Sequence, residues 1–225
     1  MIDEYLKITI IYTINLAEYK ISKIFIENLK KQAMKKFTFI IATLFSATFL
    51  LAQTTWKADP MHSKLQFSTV HHGISDIAGL FKIFEITTAA KKDDFSDASF
   101  ELTTELASIN TEVEMRDNHL RSAEFFDVEK YPKMTFKSTS IKKIGKEKGK
   151  YKLTGNLMLH GITKPVTINM WYRGTITNPQ SKAISAGFQF SGIIKRSDFN
   201  IGSKFPPPMI SDEVKIKADS EFIKQ

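Results

Sequence analysis

From Trp56 onward the side chains change character at almost every residue, and this two-residue period limits what the chain can fold into. Successive residues of an extended strand face opposite ways, whereas one face of a helix recurs every three or four. Between Ala98 and Leu106, the residues Ala98, Phe100, Leu102 and Leu106 share one face, and acids and hydroxyls take the other. Tyr151, Leu153, Gly155, Leu157 and Leu159 alternate with Lys152, Thr154, Asn156 and Met158. Val166, Ile168, Met170 and Tyr172 follow, then Ile184, Ala186, Phe188 and Phe190, then Val214, Ile216, Ala218 and Phe222. In the strand Val166 to Arg173, Trp171 is the one large apolar residue on the wet side. Leu65 to Thr69, Phe81 to Ile86 and Met134 to Ser138 complete a set of about eight strands, separated by turn residues such as Gly145, Gly149, Gly161 and Asn178-Pro179. Short turns imply antiparallel neighbours. Strands with one dry face close most readily into a barrel, which leaves no edge exposed. The expected fold is all-β, an eight-stranded antiparallel barrel, either just filled by side chains or able to hold one small ligand.

Residues 108–132 break the period. Thr111 to Glu114 reads as a capping box, Thr111 accepting from the Glu114 amide and Glu114 reaching back. Arg116 to Arg121 continues a helix, Ser122 caps a further turn through Phe125-Phe126, and Pro132 stops the segment. One short helical connection, about 110–127, therefore interrupts the strands.

Composition shows a boundary the totals conceal. All 10 Gly, 7 Pro, 5 His and both Trp lie beyond Ala52. Before it, Met34-Lys35-Lys36 precedes an uncharged, mostly apolar run from Phe37 to Ala52. A basic start, a short apolar stretch and a small residue at the end describe a secretory signal peptide at 34–52. The run is shorter than the roughly 20 residues a permanent span needs. Residues 1–33 then have no role in export, and read as an upstream extension before a true start at Met34, or as a disordered tail. Residues 53–225 form one domain with 25 basic and 20 acidic side chains. That mild excess is concentrated only in Lys142 to Lys152, unlike the dense, aromatic-laced basic face of a nucleic-acid binder. Cys is absent, which excludes disulfides, thiolate metal sites, cysteine nucleophiles and a lipidated N-terminal Cys. No nucleophile elbow, HExxH, EF-hand loop or phosphate-cradling glycine loop is present, so no catalytic residue, metal site or cofactor is assigned.

An ordered series of short strings carries a resemblance. They are Trp56-Lys57-Ala58-Asp59-Pro60 with His62-Ser63, Phe67 to Gly73, and Gly79-Leu80-Phe81. Then come Ser108-Ile109-Asn110-Thr111, Arg116-Asp117-Asn118-His119-Leu120-Arg121-Ser122, Phe125-Phe126-Asp127-Val128 and Tyr131 to Ser138. Gly155-Asn156-Leu157, His160 to Val166, Arg196-Ser197-Asp198-Phe199 and Asp212-Glu213-Val214 complete the order. Together they resemble the YceI-like family across essentially all of 53–225. The resemblance implies a lipocalin-like barrel that binds polyisoprenoid or other long-chain lipids. Asn200 stands where many relatives have Gly, and three prolines follow soon after.

On that resemblance the dry faces become a candidate tunnel wall: Phe67, Phe81, Phe100, Leu102, Met134, Phe136, Leu157, Leu159, Met170, Phe188 and Phe190. Phe125 and Phe126 would plug or line one mouth. The alternative is that the same side chains simply fill the barrel, since sequence alone does not separate hollow from filled. Arg116, His119 and His71 are head-group candidates, able to donate to a phosphate or carbonyl. In the competing structural role, Arg116 pairs with a carboxylate and Asp117 binds backbone amides to hold the connection. His71 and His72, being adjacent, read as strand-end or loop residues. The expected ligand is a long-chain isoprenoid, quinone-like or fatty-acyl lipid, and the expected compartment is the periplasm or the exterior. The other expectations are no nucleic acid, no membrane anchor after leader removal, and a homodimer compatible with the chain. The alternatives kept open are an envelope stress protein with a filled barrel that binds a partner, and a lipid-modifying enzyme.

Overall fold

The computed structural model describes residues 53–225 together with Lys23, Lys30 and Lys31. The extension expected at 1–33, those three lysines apart, and the leader expected at 34–52 lie outside the described residues.

Eleven strand segments make one antiparallel sheet: β1 (Thr54–Ala58), β2 (Lys64–His71), β3 (Ser75–Phe81), β4 (Phe84–Ala90), β5 (Ser99–Glu105), β6 (Ile109–Asn110), β7 (Lys133–Lys143), β8 (Lys150–Leu159), β9 (Ile162–Thr177), β10 (Ile184–Lys195) and β11 (Glu213–Lys224). β1 bonds to both β4 and β11, which closes the sheet into an eight-stranded barrel. The count of segments exceeds eight because three ring positions are broken strands. β11 pairs first with β2, Ala218 opposite Leu65, and then with β1, Phe222 opposite Ala58, so β1 and β2 are one course interrupted at Pro60–His62. Asp59 holds that interruption by accepting from the Met61 amide at 2.9 Å.

The stretch Phe81 to Ile86, expected as one strand, is likewise two segments with Lys82 and Ile83 between them. β5 and β6 are parted by a turn at Leu106–Ser108. These two breaks are stitched together: Lys82 N donates to Ser108 O, and Ile83 N to the Ser108 hydroxyl, both at 3.1 Å. β6 has no strand on its far side, and exposed strand edges invite aberrant pairing. Arg121 covers this one, donating to Ala107 O at 2.8 Å and Ile109 O at 2.9 Å.

Alternation places the dry faces as the sequence implies. In β8, Tyr151, Leu153, Leu157 and Leu159 are buried, and Phe188 and Phe190 are buried in β10. Trp171 does sit on the outer face of β9, with Lys150 Nζ and the Arg173 guanidinium each 5.0 Å from its ring centroid. Cations over the ring face account for an aromatic on the wet side. His160 (φ 52°) and Gly161 (φ 74°) form the tight turn between β8 and β9. Asn200 takes φ 55° and ψ 30°, a left-handed geometry Asn tolerates.

One end of the barrel is packed solid. Phe95, from the loop between β4 and β5, turns inward with φ 56° and stands 4.9 Å from the Phe188 ring, 4.9 Å from Tyr172 and 5.3 Å from Trp56. Phe222 and Phe100 meet Phe188 edge-on at 5.1 and 5.5 Å. A left-handed Phe is costly on its own, so this packing must hold it there.

Candidate functional site

The other end is hollow. A cavity of about 420 Å³ opens there, bounded by Leu65, Phe67, Ile77 and Phe81 of β2 and β3, by Ile194, Val214 and Ile216 of β10 and β11, and by two connections that lean across the mouth. It continues inward to a second space of about 90 Å³, the two sharing Leu65, Met134, Ile194 and Ile216.

Two connections shape the mouth. The first carries helix α1 (Glu114–Arg121) and the turn after it. The capping box expected at Thr111 to Glu114 does not form. Val113 is the N-cap with extended geometry and no side-chain bond, and the helix starts at Glu114 itself. Thr111 is instead engaged by Asp117, whose carboxylate accepts from the Thr111 amide at 2.8 Å and from its hydroxyl at 2.5 Å. Arg116 then donates to Thr111 Oγ1 and O, each at 2.7 Å. The hydroxyl donates to the Asp117 carboxylate and accepts from the charged Arg116 Nε in place of a helix amide, which is why the local box gives way. Asp117 therefore has the amide-binding role expected of it, while Arg116 binds threonine oxygens in place of a carboxylate. Arg116 is also one of the residues that line the cavity. Opposite, Gly79 of β3 is needed because a Cβ there would lie 2.5 Å from the Phe67 ring and 2.8 Å from the Thr111 methyl.

The second connection, residues 196–212, is organised by Arg196, which is buried. Nε donates to Ser211 O at 3.0 Å, Nη1 to Ile201 O at 2.9 Å and Gly202 O at 2.7 Å, and Nη2 to Phe205 O and to Ile210 O at 2.9 Å. Burial pulls the guanidinium below its ordinary pKa, opposed by the field of Asp212. Five main-chain acceptors on one fork fold the loop around the side chain. The loop's Phe205 stacks on Phe125 at 5.1 Å, and His119 meets both rings edge-on at 5.0 and 5.4 Å. Glu124 ties the two connections, bonding His119 Nε2 at 2.6 Å and Lys204 Nζ at 3.0 Å. The hydrogen bond from His119 first, then the hydrogen bond and charge of Lys204, hold its carboxyl below its ordinary pKa.

The residues expected from sequence divide between the two spaces. Phe67, Phe81, Phe125, Phe126, Met134 and Leu159 line the outer cavity, as do Arg116, His119 and His71. Phe100, Leu102, Phe136, Leu157 and Phe190 line the inner one, which Met134 also borders. Met170 and Phe188 line neither: both are almost fully buried, Phe188 within the aromatic plug. They face inward as expected, but the barrel is filled at their level. His71 ends β2 and His72 sits in the following turn at φ 51°, as adjacency implied. Sequence reasoning missed Arg196, Ile201, Phe205, Met209 and Ile210. The signal was present in the Arg196 to Phe199 string and the nearby prolines, but no period marks a loop residue as wall. Among the described residues no group of three His, Asp or Glu side chains is placed to hold a metal.

Comparison with known proteins bears on the whole barrel. The model of the YceI-like domain matches residues 56–222. Protein YceI of Salmonella arizonae is 37% identical over 189 residues, covering 83% of this chain and 96% of that one. The crystal structure of BcnA from Burkholderia cenocepacia superposes with a TM-score of 0.63 at 26% identity, covering 73% of this chain and 98% of that one. A polyisoprenoid binding domain from Saccharophagus degradans shares the fold at a TM-score of 0.57, with 15% identity over 78% of this chain and 99% of its own.

Proposed function

The chain belongs to the YceI-like domain family, and on that premise we propose that it is an exported binding protein holding a long-chain isoprenoid or fatty-acyl lipid in its barrel. The observation that carries this reading is the pair of connected apolar cavities leading from the mouth to the aromatic plug. Each buried methylene contributes about 0.8 kcal/mol, so ten offer about 8 kcal/mol before association costs. In this reading the side chains of both cavities grip the tail, and Arg116, His119 and His71 meet the head at the mouth. The fold is one that a polyisoprenoid binding domain also uses, which suits a chain-shaped ligand. A barrel acting only through its surface needs no such space, and this favours the lipid reading over a filled envelope protein.

Native mass spectrometry of protein from its own host, with organic extraction, tests the proposal. A long-chain lipid released on extraction is the expected result. An empty barrel that also gains no thermal stability from acyl or prenyl lipids would overturn it, since a bound ligand must stabilise the folded state. Product analysis after long incubation separates carriage from lipid modification: carriage returns the ligand unchanged. Export is checked by N-terminal sequencing of the periplasmic or secreted fraction, with a start near Gln53 as the expected outcome.

A further inference from the structure

Resting on that reading, we infer that the ligand is a single-chain anionic amphiphile with a tail of about 14 to 17 carbons, its acidic head at Arg116 and its tail end in the inner cavity. Two independent observations lead there, one of size and one of charge.

A methylene takes up about the volume of a liquid water molecule, ~30 Å³, so the 420 Å³ outer space accommodates roughly 14 carbons and the 90 Å³ inner space roughly three. The path then ends. Phe100 and Phe190 close the inner space, and Phe188, Phe222 and Phe95 are packed against each other behind them. A much longer chain would have to leave its remaining carbons in water at the mouth, where they add nothing to affinity. The inner space is small and presents only apolar surface, although Glu101 and Lys217 border it, so it takes a chain end and no head group.

The charge is one-sided. The outer cavity is lined by two guanidiniums, Arg116 and Arg196, and two imidazoles, and by no Asp or Glu. The carboxylates beside that wall already have partners: Asp117 is bonded to Thr111, Glu124 to His119 and Lys204, and Asp212, whose field reaches Arg196, to Ser197. The two arginines are not equivalent. All five donors of Arg196 are taken by main-chain carbonyls, so it contributes field and no contact. Arg116 lines the cavity and donates through Nε and Nη2 to Thr111, with no bond to its Nη1 among the described residues. A cationic lining in an apolar surround, with one donor edge to spare, attracts an anionic oxygen more than a neutral one. Carboxylate and phosphate share that chemistry.

Titration calorimetry on the delipidated protein tests both halves, using saturated alkanoic acids from C10 to C22, their methyl esters, farnesyl phosphate and a C50 polyprenyl phosphate. Affinity is expected to rise about fourfold per carbon, as 0.8 kcal/mol implies, and to stop rising near C16 or C17. Methyl esters are expected to bind at least tenfold more weakly than the acids, since a hydrogen bond to a charged group is worth about 1.5 kcal/mol or more. Farnesyl phosphate outbinding the C15 acid would identify the head as phosphate, and the reverse order as carboxylate. Ala218→Leu, which fills the inner space, is expected to shorten the optimum by about three carbons, with the melting transition confirming the fold. Affinity that climbs past C20, a C50 chain that binds tightest, esters equal to acids, or an unmoved optimum in folded A218L would each overturn the inference while leaving lipid binding intact. No binding at any length would overturn both.

Discussion

The two ends of this barrel are built from the same residue types on the same strands, yet one is solid and the other hollow. At the closed end Phe95, Phe100 and Phe222 each meet Phe188 edge-on at 5.5 Å or less, and Tyr151 donates its hydroxyl to Asp94 O at 2.6 Å. At the open end Phe67 and Phe81, 5.6 Å apart, face a space that no side chain fills. The difference comes from the connections. A loop residue, Phe95, is driven into the barrel at one end, whereas the loops at the other are tied to each other and to Arg196. They roof the space and do not enter it. Packing thus holds one end of the sheet, and the proposed binding takes place at the other.

If that division is right, substitutions should sort by end. The largest effect is expected for Phe188→Ala, at about 4 kcal/mol of lost stability, because the surrounding rings cannot collapse into the void. Urea unfolding would read this, and lipid affinity in the surviving folded fraction should be nearly unchanged. Arg196→Met comes next, at about 3 kcal/mol, since it strands several buried carbonyls. Hydrogen exchange should localise the loss to residues 200–212, and Arg196→Lys should not restore it, because lysine has three donors on a point charge and no fork.

Phe67→Ala belongs to the hollow end and should cost only about 1–2 kcal/mol, its ring already bordering open space. It should instead weaken lipid binding. A cost equal to that of Phe188→Ala would break the comparison. Tyr151→Phe should remove about 1 kcal/mol in thermal melts, the worth of one hydrogen bond.

The smallest effect is electrostatic and returns to the closed end. The Ser96 side chain and amide, with Lys143, hold the Asp94 carboxyl at about 2 against an ordinary 3.8. A lowered carboxyl stabilises the fold fully above its ordinary value, and the contribution disappears as pH falls from about 4 to about 2. The group is 46% exposed, so solvent screening limits it to about 1 kcal/mol or less. Asp94→Asn should flatten the acid limb of a pH–stability curve by that amount.

Legibility followed the same division. Period two identified the walls of both ends, and the ordered strings identified the barrel. Four things escaped. The breaks at Pro60–His62, at Lys82-Ile83 and at Leu106–Ser108 interrupt strands without interrupting the ring, and no local signal distinguishes that from a turn. The capping box at Thr111 was locally correct chemistry overridden by Asp117 and Arg116, both on the helix, which bind the Thr111 amide and hydroxyl from either side. Arg196 and Phe205 come from a loop, where no period tells inward from outward. Met170 and Phe188 face inward, but depth along the barrel decides whether an inward residue lines a space or fills it.

By itself, then, the sequence determined which residues point in, that the sheet closes on itself, and that the barrel must hold without disulfides, because alternation and composition are properties of the chain alone. Only the tertiary structure decided where the interior is empty. That depends on how far each loop reaches into the barrel, which is settled by contacts between residues as distant as Phe95 and Phe188, or Arg196 and Ile210.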